Sequence, residues 1–232
     1  MSYVIEPQAA TSLPVEGEQA TFPVRRVYCV GRNYADHARE MGHDPDREPP
    51  FFFSKPADAV FPVAIGTAGE LPYPPQTADL HYEVELVVAL AAGGRDIPAA
   101  QALDKVYGYA LGLDMTRRDL QAQAKKLGRP WDAAKGFDKS GPIGPIRPVA
   151  KAGHPSAGAI WLEVDGETRQ RGDLKEMIWP VADTIASLST LFELKAGDLI
   201  FTGTPAGVGP VKRGQTMRFG VDELYTLEVK VR

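Results

Sequence analysis

Apolar and polar positions alternate along Asp79–Leu90, a period of two that predicts a β-strand. Successive side chains on a strand point to opposite faces, so Tyr82, Val84, Leu86 and Val88 share one face while Glu83 and Glu85 share the other. Runs rich in β-branched and aromatic residues predict further strands over Arg26–Gly31, over Phe51–Pro56 with its three phenylalanines in the core, and over Asp104–Thr116, where small residues alternate with large ones. Ala159–Glu167 reads as a strand entering an Asp165-Gly166 hairpin turn, with residues 168–170 returning. Gly197–Gly209 reads as a strand that opens into a glycine-rich loop, and residues 214–232 as two closing strands. Leu71–Pro75 holds too many prolines for a central strand and reads as a connection. Helical signals are short. Asn33–Gly42 has Asn33 as N-cap, Asp36 in the first turn and Gly42 at the C-terminal stop. Thr116 is placed to cap a helix over Arg117–Leu127, with Lys125 and Lys126 in its last turn and Gly128 beyond. Pro180 starts another, with Val181, Ile185, Leu188 and Phe192 in one apolar stripe. The balance predicts a β-rich α+β fold with short helices.

A chain of 232 residues can bury a large core, and the pattern is consistent with one domain over residues 25–232. Residues 1–24 mix Pro, Gly, Glu and Thr with short apolar patches and read as an N-terminal extension of one or two strands packed on the body's edge. A net charge of −4 without a Lys/Arg run argues against a nucleic-acid partner. The longest apolar stretch, Val84–Ala92, is far short of the roughly 20 residues a membrane helix needs. The N-terminus lacks a basic segment followed by an apolar one. The expectation is a soluble, cytoplasmic protein with no membrane partner. The single cysteine, Cys29, excludes an internal disulfide framework and sits in an apolar run as a buried, inert thiol.

Chemistry gathers on the acidic strand. Two carboxylates on one face stand roughly 7 Å apart, and flanked by Val87 and Ala89 they repel and are poorly hydrated unless something positive sits between them. Oxygen ligands select a hard divalent cation, and the alternative is simply an exposed strand face. Asp114, at a strand end beside Gly108, Ala110 and Gly112, would complete a three-oxygen site with room for water and substrate. His37 and Glu40 lie three apart on one helix face, where the carboxylate can share a proton with the imidazole, or the two form an ordinary surface pair. Arg118 and Gln121, one turn apart just past Asp114, would reach an anionic ligand or else face water. Lys135, among small and aromatic residues, would balance the acids or hold an enolate or carboxylate. The loop after Phe201 lacks the pattern of a nucleotide cradle, but its backbone N–H groups and Thr204 would suit a carboxylate. The polar, turn-rich stretch Gly42–Pro50 reads as a loop that moves with the short helix as a lid.

Taken in order, Cys29-Val30-Gly31-Arg32-Asn33-Tyr34 with His37-x-x-Glu40, Phe53-Ser54-Lys55-Pro56, Glu83-x-Glu85, Gly112–Thr116, Lys135 and Thr202–Gly209 resemble the fumarylacetoacetate hydrolase superfamily. The resemblance covers nearly the whole chain and is to the family's small single-domain acylpyruvate hydrolases. The N-terminal extension and the run Arg32–Pro56 are similar to its fumarylpyruvate hydrolases of gentisate breakdown. It implies a mixed β-sandwich roll, a homodimer, and Glu83, Glu85 and Asp114 as ligands of Mg²⁺ or Mn²⁺. It further implies a His37–Glu40 catalytic dyad on a lid, an active-site Lys135, and contacts from Arg118, Gln121 and Thr204 to a small-molecule 2-oxo acid. The implied reaction is hydrolysis of a carbon–carbon bond in a 3-acylpyruvate, such as fumarylpyruvate to fumarate and pyruvate. Oxaloacetate decarboxylation or a general acylpyruvase activity is the alternative within the family, and a non-catalytic metal-binding β module is the alternative outside it.

Overall fold

The apolar runs become short strands, and in the computed structural model, which describes residues 2–40 and 49–232 apart from the side chains of Ala38 and Glu40, they assemble into stacked sheets. In chain order, β1 (Ser12–Pro14), β2 (Thr21–Pro23), β3 (Val27–Gly31), α1 (Ala35–Glu40), β4 (Phe51–Lys55), β5 (Val60–Pro62), β6 (Gly69–Leu71), β7 (Leu80–Tyr82) and β8 (Val84–Leu90) make the first part. There follow α2 (Ala99–Ala102), β9 (Val106–Leu113), β10 (Thr116–Arg117), α3 (Arg118–Leu127), α4 (Asp132–Lys135), β11 (Gly141–Ile143), β12 (Arg147–Pro148) and α5 (Val149–Ala152). The last part holds β13 (Ala159–Val164), β14 (Glu167–Asp173), α6 (Val181–Leu191), β15 (Leu199–Phe201), β16 (Gly209–Pro210), β17 (Thr216–Val221) and β18 (Thr226–Val231).

Among the described residues, an eight-stranded mixed sheet runs β4-β3-β15-β8-β9-β11-β5 with β12 on β9, and a five-stranded sheet runs β14-β13-β17-β18-β6. One core cluster joins Leu86, Val88 and Leu111 of the large sheet to Ile160, Leu162, Met217 and Phe219 of the smaller one. Leu13 and Phe22 of the β1–β2 hairpin join Val87, Ala89, Ala110 and Phe201 in a second cluster. Every residue of β8 is therefore buried, its alternate side chains serving two cores. No helix among the described residues is long and apolar enough to cross a membrane. The result is the strand-rich α+β fold that the pattern predicts.

Several local expectations give way to long-range contacts. The acidic stretch is not one strand. β7 belongs to a separate three-stranded sheet, β10-β7-β16, and β8 to the large sheet, with Glu83 at the break. The partner strand breaks at the same level: Thr116 pairs with His81 in one sheet, Leu113 with Val84 in the other, and Asp114 N donates to Glu83 O (2.9 Å) between them. Asp104 and Lys105, expected at the start of that strand, belong to a turn of 3₁₀ helix over Leu103–Lys105.

Asn33 does not cap α1. Its side chain donates to Trp179 O (2.9 Å) and Thr202 O (2.7 Å) and accepts from Trp179 N (2.7 Å), one buried and two partly buried bonds that together outweigh a single cap. Thr116 does not cap α3 either: its hydroxyl faces Glu83 Oε1 and Asp114 O, both at 3.2 Å, and Arg117 occupies the N-cap position. At the other end Gly128 takes φ +61 and closes the helix, as expected. Phe192 leaves the stripe of α6, lying 37% exposed against the Tyr28 ring. Phe51, Phe52 and Phe53 are only half-buried, because two of them wall a pocket instead of filling a core. Gly42 and most of the loop expected as a lid, residues 41–48, lie outside the described residues.

Candidate active site

The seam between the sheets collects the acids. Glu83 sits at the break, Glu85 two residues into β8, and Asp114 just past the end of β9, and one carboxylate oxygen from each lies within 4.8 Å of the others. All three are buried. Glu85 Oε2 accepts from Gly203 N (2.7 Å). That N–H is presented by a backbone at φ +93, where an added Cβ would lie 2.7 Å from the Asn33 Cβ, so this position needs glycine.

Two lysines reach the acids. Lys135, the last residue of the single-turn α4, places Nζ 2.8 Å from Glu83 Oε2 and 2.7 Å from Asp114 Oδ2. Lys55, at the end of β4, lies 2.7 Å from Asp114 Oδ1 and donates to Ser140 Oγ (3.0 Å) and to Lys135 O. Arg118, opening α3, donates to Glu83 Oε1 (2.5 Å) and to Gln121 Oε1 (2.6 Å). Its Nε donates to His81 Nδ1 (3.3 Å), whose other nitrogen meets Asp79 (2.9 Å).

Electrostatics separates the acids. Burial pushes Glu83 up, but Lys135 and Arg118 outweigh it and hold the carboxyl well below its usual range. Burial also drives Glu85 up, and there the neighbouring Asp114 and Glu83 add to the shift. For Lys135 burial favours the neutral amine, yet Asp114 and Glu83 keep it more basic than usual. Three acids thus meet three cations, and with all three acids ionised the cluster would be close to charge balance.

Glu83, Glu85, Arg118, Gln121 and Lys135 line a pocket that is open to solvent. His37 and Thr204 stand at its sides. Phe51, Phe53 and Trp131 form a far wall, capped by Arg32 over the Phe51 ring (5.1 Å) and Lys125 over the Trp131 ring (5.3 Å). Of the residues singled out from sequence, Glu83, Glu85, Asp114, Lys135, Arg118, Gln121, Thr204 and His37 are brought together here. Glu40 ends α1, but its side chain lies outside the described residues, and with it any contact to His37. The sequence pattern gives Lys55 no assigned role and places Phe51 and Phe53 in the core; a lysine closing a run of three phenylalanines is the available signal for both the cation and the aromatic wall.

The acids suit a hard divalent cation. The donor set is all oxygen, and Asp114 Oδ1 receives no directed hydrogen bond from the described residues despite the nearby Lys55. Oxygens on opposite sides of an ion at about 2.1–2.4 Å stand at most roughly 4.8 Å apart, and the three oxygens here lie within that limit of one another. Such an ion would tip the balanced cluster positive and make the pocket a receptor for an anion.

The family profile described as fumarylacetoacetate (FAA) hydrolase C-terminal matches residues 26–232. The chain is 44% identical over 206 residues to the mitochondrial oxaloacetate tautomerase FAHD1 of Arabidopsis thaliana, covering 89% of this chain and 90% of that protein. It is 43% identical over 202 residues to the mitochondrial oxaloacetate decarboxylase of Dictyostelium discoideum, covering 87% and 91%. Its fold superposes with a TM-score of 0.98 on the crystal structure of fumarylpyruvate hydrolase from Pseudomonas aeruginosa in complex with Mn²⁺ and pyruvate, at 59% identity over 99% of both chains.

Proposed function

The chain belongs to the fumarylacetoacetate hydrolase family, and from that premise we propose that it hydrolyses the carbon–carbon bond of a 3-acylpyruvate, with fumarylpyruvate the substrate and fumarate and pyruvate the products. The observation that carries this reading is the buried trio Glu83, Glu85 and Asp114 at an anion-receptive pocket lined by Lys135 and Arg118. In this reading Glu83, Glu85 and Asp114 hold Mg²⁺ or Mn²⁺, which when bound supplies Lewis-acid polarisation of substrate oxygens.

The chain's own groups do the rest. Arg118, steadied by Gln121 at 2.6 Å, offers its guanidinium to the 2-oxo acid's carboxylate, and Thr204 offers its hydroxyl. His37, partnered by Glu40, takes a proton from water as its oxygen bonds to the acyl carbonyl carbon. The bond from that carbon to C3 then breaks, and its electron pair goes to the pyruvate fragment as an enolate. Lys135, held charged by its acidic neighbours, stabilises the negative oxygen in a site of low dielectric. The enolate takes at C3 the proton that His37 removed from water, and leaves as pyruvate. Arg32 and Lys125 above flat aromatic rings suit an unsaturated acyl chain ending in a carboxylate, which favours fumarylpyruvate over acetylpyruvate.

A second reading rests on the relatives named as acting on oxaloacetate, a smaller 2-oxo dicarboxylate that the same floor would accept. The family resemblance also supports a homodimer working in the cytoplasm. The test is a side-by-side assay of the purified protein on fumarylpyruvate, acetylpyruvate and oxaloacetate, after chelation and again after Mg²⁺ or Mn²⁺ is restored. Metal-dependent cleavage, fastest on fumarylpyruvate, is expected. Turnover of oxaloacetate alone would replace this reading with the second.

A further inference from the structure

The strand β14 is an exposed edge whose residues Glu167–Arg169 and Arg171 face solvent, but Gln170 between them is completely buried. Its side chain reaches across to the seam. Oε1 accepts from Val84 N (3.0 Å), while Nε2 donates to Thr204 Oγ1 (2.8 Å) and to Pro205 O (2.8 Å). Val84 is the residue between Glu83 and Glu85, and Thr204 follows the Gly203 whose N–H supports Glu85. One amide thus ties the acidic segment to the loop that brings Thr204 into the pocket's lining. The packing around it leaves no slack: an added Cβ at Gly207 would lie 2.1 Å from Arg169 O, and one at Gly172 2.7 Å from the Pro205 Cβ.

The direction of this amide is not free. Val84 N can only donate and Pro205 O can only accept, so the oxygen of Gln170 must face the first and its nitrogen the second. The bond to Thr204 then runs from Nε2 to Oγ1, and the threonine oxygen serves there as acceptor. Its own proton is left to point elsewhere, and Thr204 lines the pocket.

We propose that Gln170 is a positioning residue that fixes the Thr204 hydroxyl as a hydrogen-bond donor toward a ligand oxygen in the pocket. The proposal rests on the reading of the pocket as a 2-oxo acid site and adds the group that sets the polarity of one of its contacts. An anionic oxygen present in substrate and inhibitor alike benefits equally in both, so the contact acts on binding more than on turnover.

The experiment uses the Mn²⁺-loaded enzyme and measures KM and kcat on fumarylpyruvate with the inhibition constant of oxalate. Gln170→Glu removes the donor, so that the Thr204 proton turns back toward residue 170, and Thr204→Val removes the hydroxyl. Each is expected to raise KM and the oxalate constant together by roughly tenfold, with kcat changing much less. The double variant is expected to be no worse than the worse single one, since both remove the same contact. Multiplying effects, or a Gln170→Glu enzyme that binds oxalate like the parent, would overturn the proposal. If glutamate at 170 prevents folding, Thr204→Ser and Thr204→Val decide: serine should keep oxalate binding and valine lose it, and equal constants for the two would overturn the proposed direction. A parent enzyme that neither binds oxalate nor cleaves any 3-acylpyruvate defeats the functional reading itself, a result distinct from an active parent with multiplying variants.

Discussion

Replacing Lys55 by methionine keeps the length of the side chain and removes its charge. The ammonium is fully buried, 2.7 Å from the equally buried Asp114 Oδ1, and it also donates to Ser140 Oγ and Lys135 O. Breaking a buried pair by deleting one partner costs about 3–5 kcal/mol when the remaining charge is left without compensation, and because Lys135 still meets Asp114 Oδ2 the loss here lies at the lower end of about 3 kcal/mol. In a chain of this length each kcal/mol lowers the melting temperature by about 2–4 °C, so the metal-free variant should melt roughly 6–12 °C below the parent. A divalent cation reverses part of that loss. It neutralises the carboxylate that Lys55 leaves behind, and it binds without repulsion from the missing ammonium. The gain in melting temperature on adding Mn²⁺ should therefore be larger for Lys55→Met than for the parent, by the linkage between ligand binding and folding. Calorimetry with chelator and with excess Mn²⁺ measures both. A variant that melts within about 2 °C of the parent without metal, or that gains the same from Mn²⁺, would refute the idea that Lys55 and the ion share the charge of Asp114.

Two further outcomes test the same cluster. Glu40→Gln should slow turnover of fumarylpyruvate by roughly 10²-fold while Mn²⁺ affinity by titration calorimetry stays at the parent level, and equal rates would remove the dyad from the mechanism. Glu85 stands above its unfolded value because of burial and its acidic neighbours. The metal-free protein accordingly has its full share of stability from this group below the unfolded pKa and loses it as pH rises through the folded one, where the carboxylate must ionise beside like charges. A bound cation cancels that loss, so the rise in melting temperature on adding Mn²⁺ should grow between pH 5 and 8, and a rise independent of pH would count against Glu85 as a ligand.

What could be read from the chain and what could not divide by distance. The period of two put Glu83 and Glu85 on one face, and the turn chemistry of Asp165-Gly166 and Gly128 held, because each depends on neighbours a few positions away. Asn33 and Thr116 carry the right chemistry for helix caps, but their partners at Trp179, Thr202 and Glu83 lie far along the chain and offer bonds shielded from water. In the sequence Gln170 is one polar residue of the segment returning from the Asp165-Gly166 turn, and its partners are 86 and 34 positions away.

The break at Glu83 has a physical cause that links these cases. A strand buried on both faces can hold a carboxylate only where counter-charges reach it, and an unbroken ladder with apolar layers on either side has no space for Lys135, Arg118 and Lys55. By passing from one sheet to another at this level, both strands of the pair open a gap into which those cations enter from β4, α3 and α4. The switch frees the Val84 amide, and Gln170 satisfies it. The departure from regular pairing and the assembly of the acids are on this account one event, since an apolar pair in place of Glu83 and Asp114 would have no reason to interrupt the ladder.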